Sequence, residues 1–289
     1  MSFAYNVPDT NAQNGNHDLT LRVVHLHDVL LHEHTERQRV DRLVKRIQAD
    51  QLLKNPPIVA PDEGRYVLLD GATRVTALTQ LGYRDVIVQV VDYAMPGLTL
   101  DTWNHLLIGL PGDKFLKSLR GLTGLKIVPT SLTDAGDTLN RRASVGTIVL
   151  ADGQVLSLRL TSSNSLAQQV EVLNQVVAAY EGRSALQRIT NSDATRLSLG
   201  ALPWSALIVF PRYGPEDIRA LARNGHKLPT GITRHIIPGR ALRINIPLEL
   251  LQRTASLEQK NAALAQWLQT KMREQRVRYY YEPVFLFDE

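Results

Sequence analysis

The stretch from Tyr66 to Tyr93 constrains the fold of this chain more than any other segment. Its residues predict, in order, a strand over Tyr66–Leu69, a tight break at Asp70-Gly71, a short helix that runs to Leu81 and a second strand over Val86–Val91. A strand that turns through glycine straight into a helix brings unpaired backbone N–H groups together with the positive end of the helix dipole. We therefore expect this turn to favour a phosphate group.

The composition is that of an ordinary globular chain without disulfides. Of its 289 residues, 44% are hydrophobic and none is cysteine, which excludes disulfides, thiolate metal sites and a cysteine nucleophile. The net charge of +5 permits a phosphorylated ligand or weak nucleic-acid contact but requires neither. The chain has no apolar run of about 18 residues, and its first 20 residues are polar. We therefore expect a cytoplasmic protein without a membrane span or a signal peptide.

The spacing of apolar residues along the chain predicts an α+β (mixed α/β) fold with two domains. In the first part of the chain, besides the opening stretch, it indicates a strand over Leu19–His27, a helix that begins near Thr35, a strand over Ile58–Ala60 that forms a hairpin with Tyr66–Leu69, and two short helices within residues 93–122. Later in the chain, it indicates a hairpin at Asp152-Gly153, a helix that ends at Gly182, a strand over Ala206–Phe210 and a helix over Glu216–Arg223. The last predicted elements are a helix from Ser256 past Trp267 and a terminal strand over residues 277–289. Prolines and glycines in residues 96–112 indicate a boundary. We expect one domain over residues 18–110 and another over residues 111–289.

The first candidate site is the segment Asp70-Gly71-Ala72-Thr73-Arg74. Asp70 ends the predicted strand, where its carboxylate could hold Mg2+. The backbone amides of residues 71–74 and the Arg74 guanidinium could neutralise phosphate oxygens. Alternatively, Asp70 caps the helix and Arg74 is surface charge, because Asp-Gly turns are common.

A second candidate, His32-Glu33-His34, lies in the predicted loop before the first helix. A carboxylate there can act as general base for a hydroxyl nucleophile within hydrogen-bond reach. The zinc-protease pattern His-Glu-x-x-His is absent, because Glu36 stands where its second histidine would be. Solvated loop residues are one alternative, and another is a metal site made from His25, His27, His32 and His34.

Two further segments carry side chains suited to a small polar substrate. Thr102-Trp103-Asn104-His105 offers an indole wall beside a hydroxyl and an imidazole, although a tryptophan at a domain junction is also a common core residue. Gly231-Ile232-Thr233-Arg234-His235, followed by Gly239-Arg240, offers an arginine that either clamps a carboxylate with two hydrogen bonds or forms a surface salt bridge.

Taken in order, these motifs resemble a known family. The first strand, the loop glutamate, the helix and the Val-x-Leu-Asp-Gly-x-x-Arg segment are similar to the N-terminal domain shared by ParB partition proteins, sulfiredoxin and the free L-serine kinases. The free L-serine kinases, which include archaeal ADP-dependent and siderophore-pathway enzymes, match best over residues 18–289. The shared motifs are His32-Glu33, the turn from Asp70 to Arg74, Thr102-Trp103-x-His105, Pro229-x-Gly231-Ile232-Thr233-Arg234, and Gly239-Arg240-x-Leu242.

The resemblance implies a ParB/sulfiredoxin-like nucleotide-binding domain followed by an α+β domain that contributes to the substrate site. It implies transfer of a phosphoryl group from ATP or ADP, with Mg2+, to the hydroxyl of free L-serine. Glu33 would be the general base, and Asp70 would lie by Mg2+ and the transferred phosphate. The phosphates would contact Gly71, Ala72, Thr73 and Arg74. Serine would contact His32, Thr102, Trp103, His105, Thr233 and Arg234, and its carboxylate would lie near Arg234 and His105. The resemblance also implies amino-acid metabolism, with siderophore biosynthesis as an expected pathway.

The chain departs from the superfamily pattern at defined places. Ala72 and Thr73 stand where family members often carry histidine, and the turn lacks the second arginine of the partition-protein phosphate box. Residues 113–142 show no clear helix-turn-helix pattern, and the absence of cysteine excludes sulfiredoxin chemistry. The remaining alternative is a nucleotide-responsive, ParB-like DNA-binding regulator whose basic helix, Arg37 to Arg46, contacts DNA phosphates.

Overall fold

The chain forms two units, each built around its own sheet. The computed structural model describes residues 19–161, 165–190, 204–252 and 254–280. The first unit gathers the described parts of Met1–Leu30, Thr35–Leu98 and Ile237–Glu289, and the second gathers those of Leu31–His34 and Thr99–Ile236. The sequence predicts two continuous domains that meet near residue 110, whereas the chain leaves the first unit after Leu98 and returns to it at Ile237. The mixture of helices and strands confirms the α+β class.

The first unit contains a five-stranded mixed sheet and the helices that adjoin it. The strands of the whole unit are β1 Leu21–His25, β2 Val29–Leu30, β3 Leu52–Leu53, β4 Ile58–Asp62, β5 Arg65–Asp70, β6 Asp85–Val90 and β15 Ile246–Pro247. Its helices are α1 Arg37–Asp50, α2 Ala72–Gln80, α7 Glu249–Gln252 and α8 Leu257–Arg273, with a 3-10 turn at Leu26–Asp28. The sheet order is β1-β6-β4-β5-β2, and β3 pairs separately with β15. The predicted strand, turn, helix and strand of the opening stretch are therefore confirmed as β5, α2 and β6.

Helix α8 covers the edge strand β1 through one asparagine. Asn261 Oδ1 accepts a hydrogen bond from Val23 N–H at 2.9 Å, and Asn261 Nδ2 donates to the Val23 carbonyl at 3.0 Å. The side-chain amide thus occupies the backbone groups that an additional strand would use for pairing. Helix α8 therefore protects the middle of this edge strand from further pairing.

A buried ion pair holds the same helix. Lys260 Nζ lies 2.6 Å from Asp85 Oδ2, and both side chains are 6% exposed. His25 Nδ1 lies 2.6 Å from Asp85 Oδ1. Burial by itself would raise the pKa of Asp85, but the hydrogen bonds from Lys260 and His25 outweigh it and hold that pKa below its usual range. The C-terminal residues therefore rejoin the first unit through a polar contact that the local sequence pattern does not reveal.

The second unit is built on a six-stranded antiparallel sheet. Its strands are β7 Thr99–Thr102, β8 Asn104–Ile108, β9 Leu125–Pro129, β10 Gly146–Leu150, β11 Val155–Leu160, β12 Ala185–Ile189, β13 Trp204–Val209 and β14 Thr233–Ile236. Its helices are α3 Gly112–Leu119, α4 Leu132–Asn140, α5 Leu166–Ala178 and α6 Pro215–Arg223. The sheet order is β12-β8-β13-β10-β11-β9, while β7 and β14 form a separate antiparallel pair. None of the helices in the described ranges is long and apolar enough to cross a membrane.

Two predictions about local structure need comment. Residues 93–122 predict two short helices, but the structure has β7 and β8 before a single helix, α3. Strand β8 lies between β12 and β13, and its Leu106 and Leu107 are completely buried. A short apolar run that is buried on both sides has no periodicity to distinguish an interior strand from a helix. The predicted terminal strand lies mostly outside the described residues, and its described part, residues 277–280, belongs to no strand.

We expect Lys260→Met to reduce the free energy of unfolding by about 3–5 kcal/mol, because it leaves the buried Asp85 carboxylate without its ammonium partner. Urea unfolding followed by circular dichroism measures this loss. The matched control is Lys271→Met on the same helix, whose ion pair with Glu274 is longer at 3.9 Å and partly exposed. The control should lose about 1 kcal/mol or less. Equal losses in the two variants would contradict the role of the buried pair.

Candidate functional site

The turn after β5 brings two arginines onto one carboxylate. Asp70 ends β5, and Gly71 is the N-cap residue of α2. Arg74 Nη2 and Arg240 Nη2 both donate to Asp70 Oδ2, at 2.6 and 2.5 Å. Arg74 is 19% exposed and paired with Asp70, so the alternative in which Arg74 is only surface charge is wrong.

Gly71 allows this turn to close. Its φ is +102°, and a Cβ there would lie 2.8 Å from Arg74 Nε and Nη2 and 3.0 Å from Pro57 Cα. Any other residue would strain the backbone and press on the neighbouring main chain. Arg74 consequently packs against the turn, and its Nη1 also donates to the Asn55 carbonyl at 3.3 Å.

The charges at this turn suit a phosphate group. The first turn of α2, which begins at Ala72 and Thr73, has no acidic side chain to compete with an anion. Two arginines against one aspartate leave the cluster positively charged. Mg2+ commonly binds one or two carboxylates together with substrate phosphates, and Asp70 is the carboxylate at this turn. Among the described residues, no group of three or more His, Asp or Glu side chains could hold a metal ion by itself, which argues against a histidine metal site.

In the second unit, Glu33 accepts three hydrogen bonds from one short segment. Thr233 N–H and Thr233 Oγ–H donate to Glu33 Oε1 at 2.6 and 2.5 Å, and Gly231 N–H donates to Oε2 at 3.0 Å. The Glu33 backbone also bridges to Leu228. An ionised carboxylate has about four acceptor positions, so three donors leave room for a substrate hydroxyl. Glu33 is thus oriented as a general base would need to be.

His32 supports this arrangement from behind. It is buried, and its Nε2 lies 2.9 Å from Thr233 Oγ1. Since Thr233 donates its hydroxyl proton to Glu33, the hydroxyl oxygen accepts from His32 Nε2–H. The order of donation is therefore His32 to Thr233 to Glu33, which fixes the Thr233 hydroxyl in its orientation.

The paired strands β7 and β14 place a cation beside an indole. Thr102 and Thr233 are opposite each other in the pair, and Trp103 N–H donates to the Ile232 carbonyl at 2.8 Å. The Arg234 guanidinium carbon lies 4.4 Å from the centroid of the Trp103 ring. Arg234 Nη1 also lies 4.0 Å from Asp101 Oδ2, a long ion pair that leaves the guanidinium, stacked by its face on Trp103, able to direct its edge N–H groups to another carboxylate.

His105 is a buried, uncharged member of the same cluster. Burial lowers its pKa to about 4, and the nearby Arg188 cation contributes to that lowering. Its Nδ1 lies 2.7 Å from the Tyr180 hydroxyl and its Nε2 lies 3.4 Å from the Gly231 carbonyl. The carbonyl can only accept, so we assign the proton to Nε2, and Tyr180 O–H donates to Nδ1. Near neutral pH, the positive charge of this cluster is therefore supplied by arginine and not by His105.

The structure gathers the predicted site residues into two clusters. In the second unit, the segment Gly231–Arg234 contacts or pairs with all the others, namely His32, Glu33, Thr102, Trp103 and His105. In the first unit, Asp70, Gly71, Ala72, Thr73 and Arg74 form the turn into α2. Tyr180 carried no sequence signal, because a tyrosine at the end of an apolar helix looks like an ordinary core residue. His25 and His27 stack on each other in the first unit and take no part in either cluster.

The chain is similar along most of its length to proteins with a described activity. No family model matches it. It is 27% identical over 271 residues to the ATP-dependent L-serine kinase SbnI of Staphylococcus aureus, which covers 93% of this chain and 97% of that protein. Among solved structures, it is similar to SbnI with a C-terminal truncation, with a TM-score of 0.70, 25% identity, and coverage of 87% of this chain and 97% of the other. It also resembles a free serine kinase mutant in complex with ADP, with a TM-score of 0.69, 19% identity, and coverage of 80% and 93%.

We expect the unfolding free energy to fall with decreasing pH between about 6.5 and 4 because of His105. The unfolded histidine, with a pKa near 6.5, takes up a proton in this range, whereas the folded one, with a pKa of about 4, does not. The contribution is complete above the unfolded pKa and amounts to about 3 kcal/mol when fully lost. Urea unfolding at several pH values should show a shallower slope for His105→Gln than for the wild type. The exposed His226→Gln variant serves as control and should keep the wild-type slope.

Proposed function

We infer that the chain is a member of the free L-serine kinase family, and we propose that it transfers a phosphoryl group from ATP to the hydroxyl of free L-serine, giving O-phospho-L-serine. The similarity to the S. aureus kinase supports this proposal because it extends over 93% of the chain. The observation that carries the proposal is the Glu33 carboxylate, held by three donors in the same cluster as Arg234 and Trp103. ADP is the second candidate donor, because a free serine kinase of similar fold is known in complex with it.

The second-unit cluster supplies the groups that a free amino acid requires. The Arg234 guanidinium, stacked on Trp103, binds the serine carboxylate. Thr102 and His105 are buried in the same cluster, where the uncharged His105 ring supports Gly231 through its hydrogen bond to the Gly231 carbonyl. Glu33 accepts the hydroxyl proton of serine, while Thr233 and Gly231 hold the Glu33 carboxylate in place. Orientation of this kind provides most of what phosphoryl transfer needs from a protein.

The reaction that these roles describe is a single displacement. The serine hydroxyl oxygen forms a bond to the terminal phosphorus, and the bond from that phosphorus to its bridging oxygen breaks. The nucleotide leaves with one phosphate fewer, and the hydroxyl proton passes to Glu33. Arg74 and the first amides of α2 donate to the phosphate oxygens, and Asp70 is the residue that would hold Mg2+. Mg2+, when bound with the nucleotide, neutralises charge on the phosphate oxygens.

The similarities favour the kinase over the DNA-binding regulator. They extend along the whole kinase sequence, with 97% of the S. aureus enzyme covered. In helix α1, the basic residues proposed for DNA contact are partly paired, Arg37 with Asp41 and Arg39 with Glu36. The cytoplasmic location and the siderophore pathway stay predictions.

Glu33→Gln tests the proposed base directly. We expect the wild type to form phosphoserine from serine, ATP and Mg2+, and the variant to be slower by about 100-fold or more, because the amide cannot take up the hydroxyl proton. Mass spectrometry of the product measures the rates of the wild type and the variant, first with ATP and then with ADP as the donor. Glu171→Gln on the exposed side of α5 removes the same charge and should leave the rate unchanged. No phosphoserine with either nucleotide would refute the proposed activity.

Gly231→Ala tests whether the segment that orients Glu33 must pack closely against the Arg188 side chain. A Cβ at Gly231 would lie 2.2 Å from Arg188 Nε, and its φ is +72°. Gly225 has nearly the same φ, +71°, but nothing within 4 Å of an added Cβ. Both variants therefore bear a backbone strain of about 1 kcal/mol. We expect the rate of phosphoserine formation to fall at least about tenfold only in Gly231→Ala, since the added methyl group requires the Arg188 guanidinium or the segment that holds Glu33 to move.

The matched pair separates site geometry from general stability. Melting temperatures of both variants give the shared cost of the left-handed backbone. Equal rates in Gly231→Ala and Gly225→Ala would show that the close contact at Gly231 does not matter for catalysis.

A further inference from the structure

A buried glutamine holds the backbone on both sides of Arg240. Gln89, on the interior strand β6, is 4% exposed. Its Nε2 donates to the Gly239 carbonyl at 2.8 Å, and its Oε1 accepts from Ala241 N–H at 2.8 Å. The side-chain amide therefore uses both of its ends on the two residues that flank Arg240, which fixes the direction in which the arginine leaves the main chain.

A second attachment holds the same segment a little further on. Asn55 Oδ1 accepts from Arg243 N–H at 2.7 Å, while the Asn55 carbonyl accepts from Arg74 Nη1. The segment that carries Arg240 and the turn that carries Arg74 thus share one anchoring residue. Both arginines are delivered to the same oxygen, Asp70 Oδ2.

An ordinary surface ion pair does not require that the backbone on both sides of its arginine be held by buried side chains. The side chains of Asp70 and Arg240 are 35% and 37% exposed, and ion pairs of such exposure contribute about 1 kcal/mol or less to stability. Asp70 is already paired with Arg74, so the second arginine leaves the cluster with an excess positive charge. Fixed cations in excess beside the N-terminus of a helix form a site for a polyanion.

We propose that Arg240 is a phosphate-contacting residue of the nucleotide site and that Gln89 is the residue that positions it. Before the nucleotide binds, Asp70 is the counterion of Arg240. When a nucleoside diphosphate or triphosphate binds, its phosphate oxygens replace the Asp70 carboxylate as the acceptor for Arg240. The inference rests on the proposed function for the identity of the anion, and it adds a residue and a positioning contact to that site.

Nucleotide binding to the full chain, measured by calorimetry without serine, tests the proposal. We expect Arg240→Gln to weaken ADP binding at least about tenfold, the usual effect of losing a charged hydrogen bond to phosphate. Binding of AMP should weaken less, because fewer phosphate oxygens are available to Arg240. Arg22→Gln is the matched control, since it removes one exposed arginine from β1, which β6 and β4 separate from β5 by roughly 14 Å. The control should bind ADP as the wild type does.

A double-variant comparison tests the positioning role of Gln89. Gln89→Leu alone should weaken ADP binding about as much as Arg240→Gln, but it should have no further effect when Arg240 is already glutamine. Gln89→Met, which keeps an unbranched side chain of similar length but loses both hydrogen bonds without burying a charge, provides a second variant if the leucine is poorly folded. Equal weakening by Gln89 variants in both backgrounds would show a merely structural role and overturn the positioning assignment.

The remaining outcomes separate this inference from the proposed activity. Wild-type affinity for ADP in Arg240→Gln overturns the inference, as does a wild-type chain that binds no nucleotide. A wild-type chain that binds ADP in an Arg240-dependent way but forms no phosphoserine supports the inference and refutes the kinase proposal.

Discussion

The second unit depends on the three hydrogen bonds that Glu33 accepts from Gly231 and Thr233. They attach a stretch of four residues, Leu31–His34, to a unit whose other residues begin at Thr99. Each backbone donor in the loop would otherwise need another partner, since an unpaired polar group away from water is costly. The carboxylate satisfies two N–H groups and one hydroxyl at once, and the same bonds bring Trp103 and Arg234 into its cluster through Ile232 and Thr233.

In the first unit, buried polar side chains attach segments that are distant in the sequence. Lys260 pairs with Asp85, Gln89 holds residues Gly239 and Ala241, and Asn261 occupies the free groups of strand β1. Every one of these contacts joins the first ninety or so residues to the segment that follows Ile237. Apolar packing tolerates many arrangements, whereas a buried polar group requires a partner at a defined place. The discontinuous course of the chain is therefore specified by polar groups more than by apolar area.

The local sequence pattern predicts most of the elements and the resemblance to a family, but it does not predict which distant residues contact each other. The strand, turn and helix around Asp70 were predicted because periodicity and the Asp-Gly break act over a few residues. The resemblance to the free L-serine kinases is confirmed by the 27% identity to the S. aureus enzyme over 93% of the chain. The strand β8 was mistaken for a helix, since its identity depends on β12 and β13. The contact between Arg240 and Asp70 joins residues 170 positions apart, and no spacing rule relates such residues.

The surroundings of the two site carboxylates differ in a way that suits different roles. Glu33 is held by neutral donors, and in the described part of the chain no lysine or arginine forms an ion pair with it. Asp70 instead has two arginine partners, whose charges are those a phosphate group requires. The carboxylate proposed as proton acceptor and the one proposed for the phosphate side are thus distinguished by their partners, neutral donors for Glu33 and arginines for Asp70.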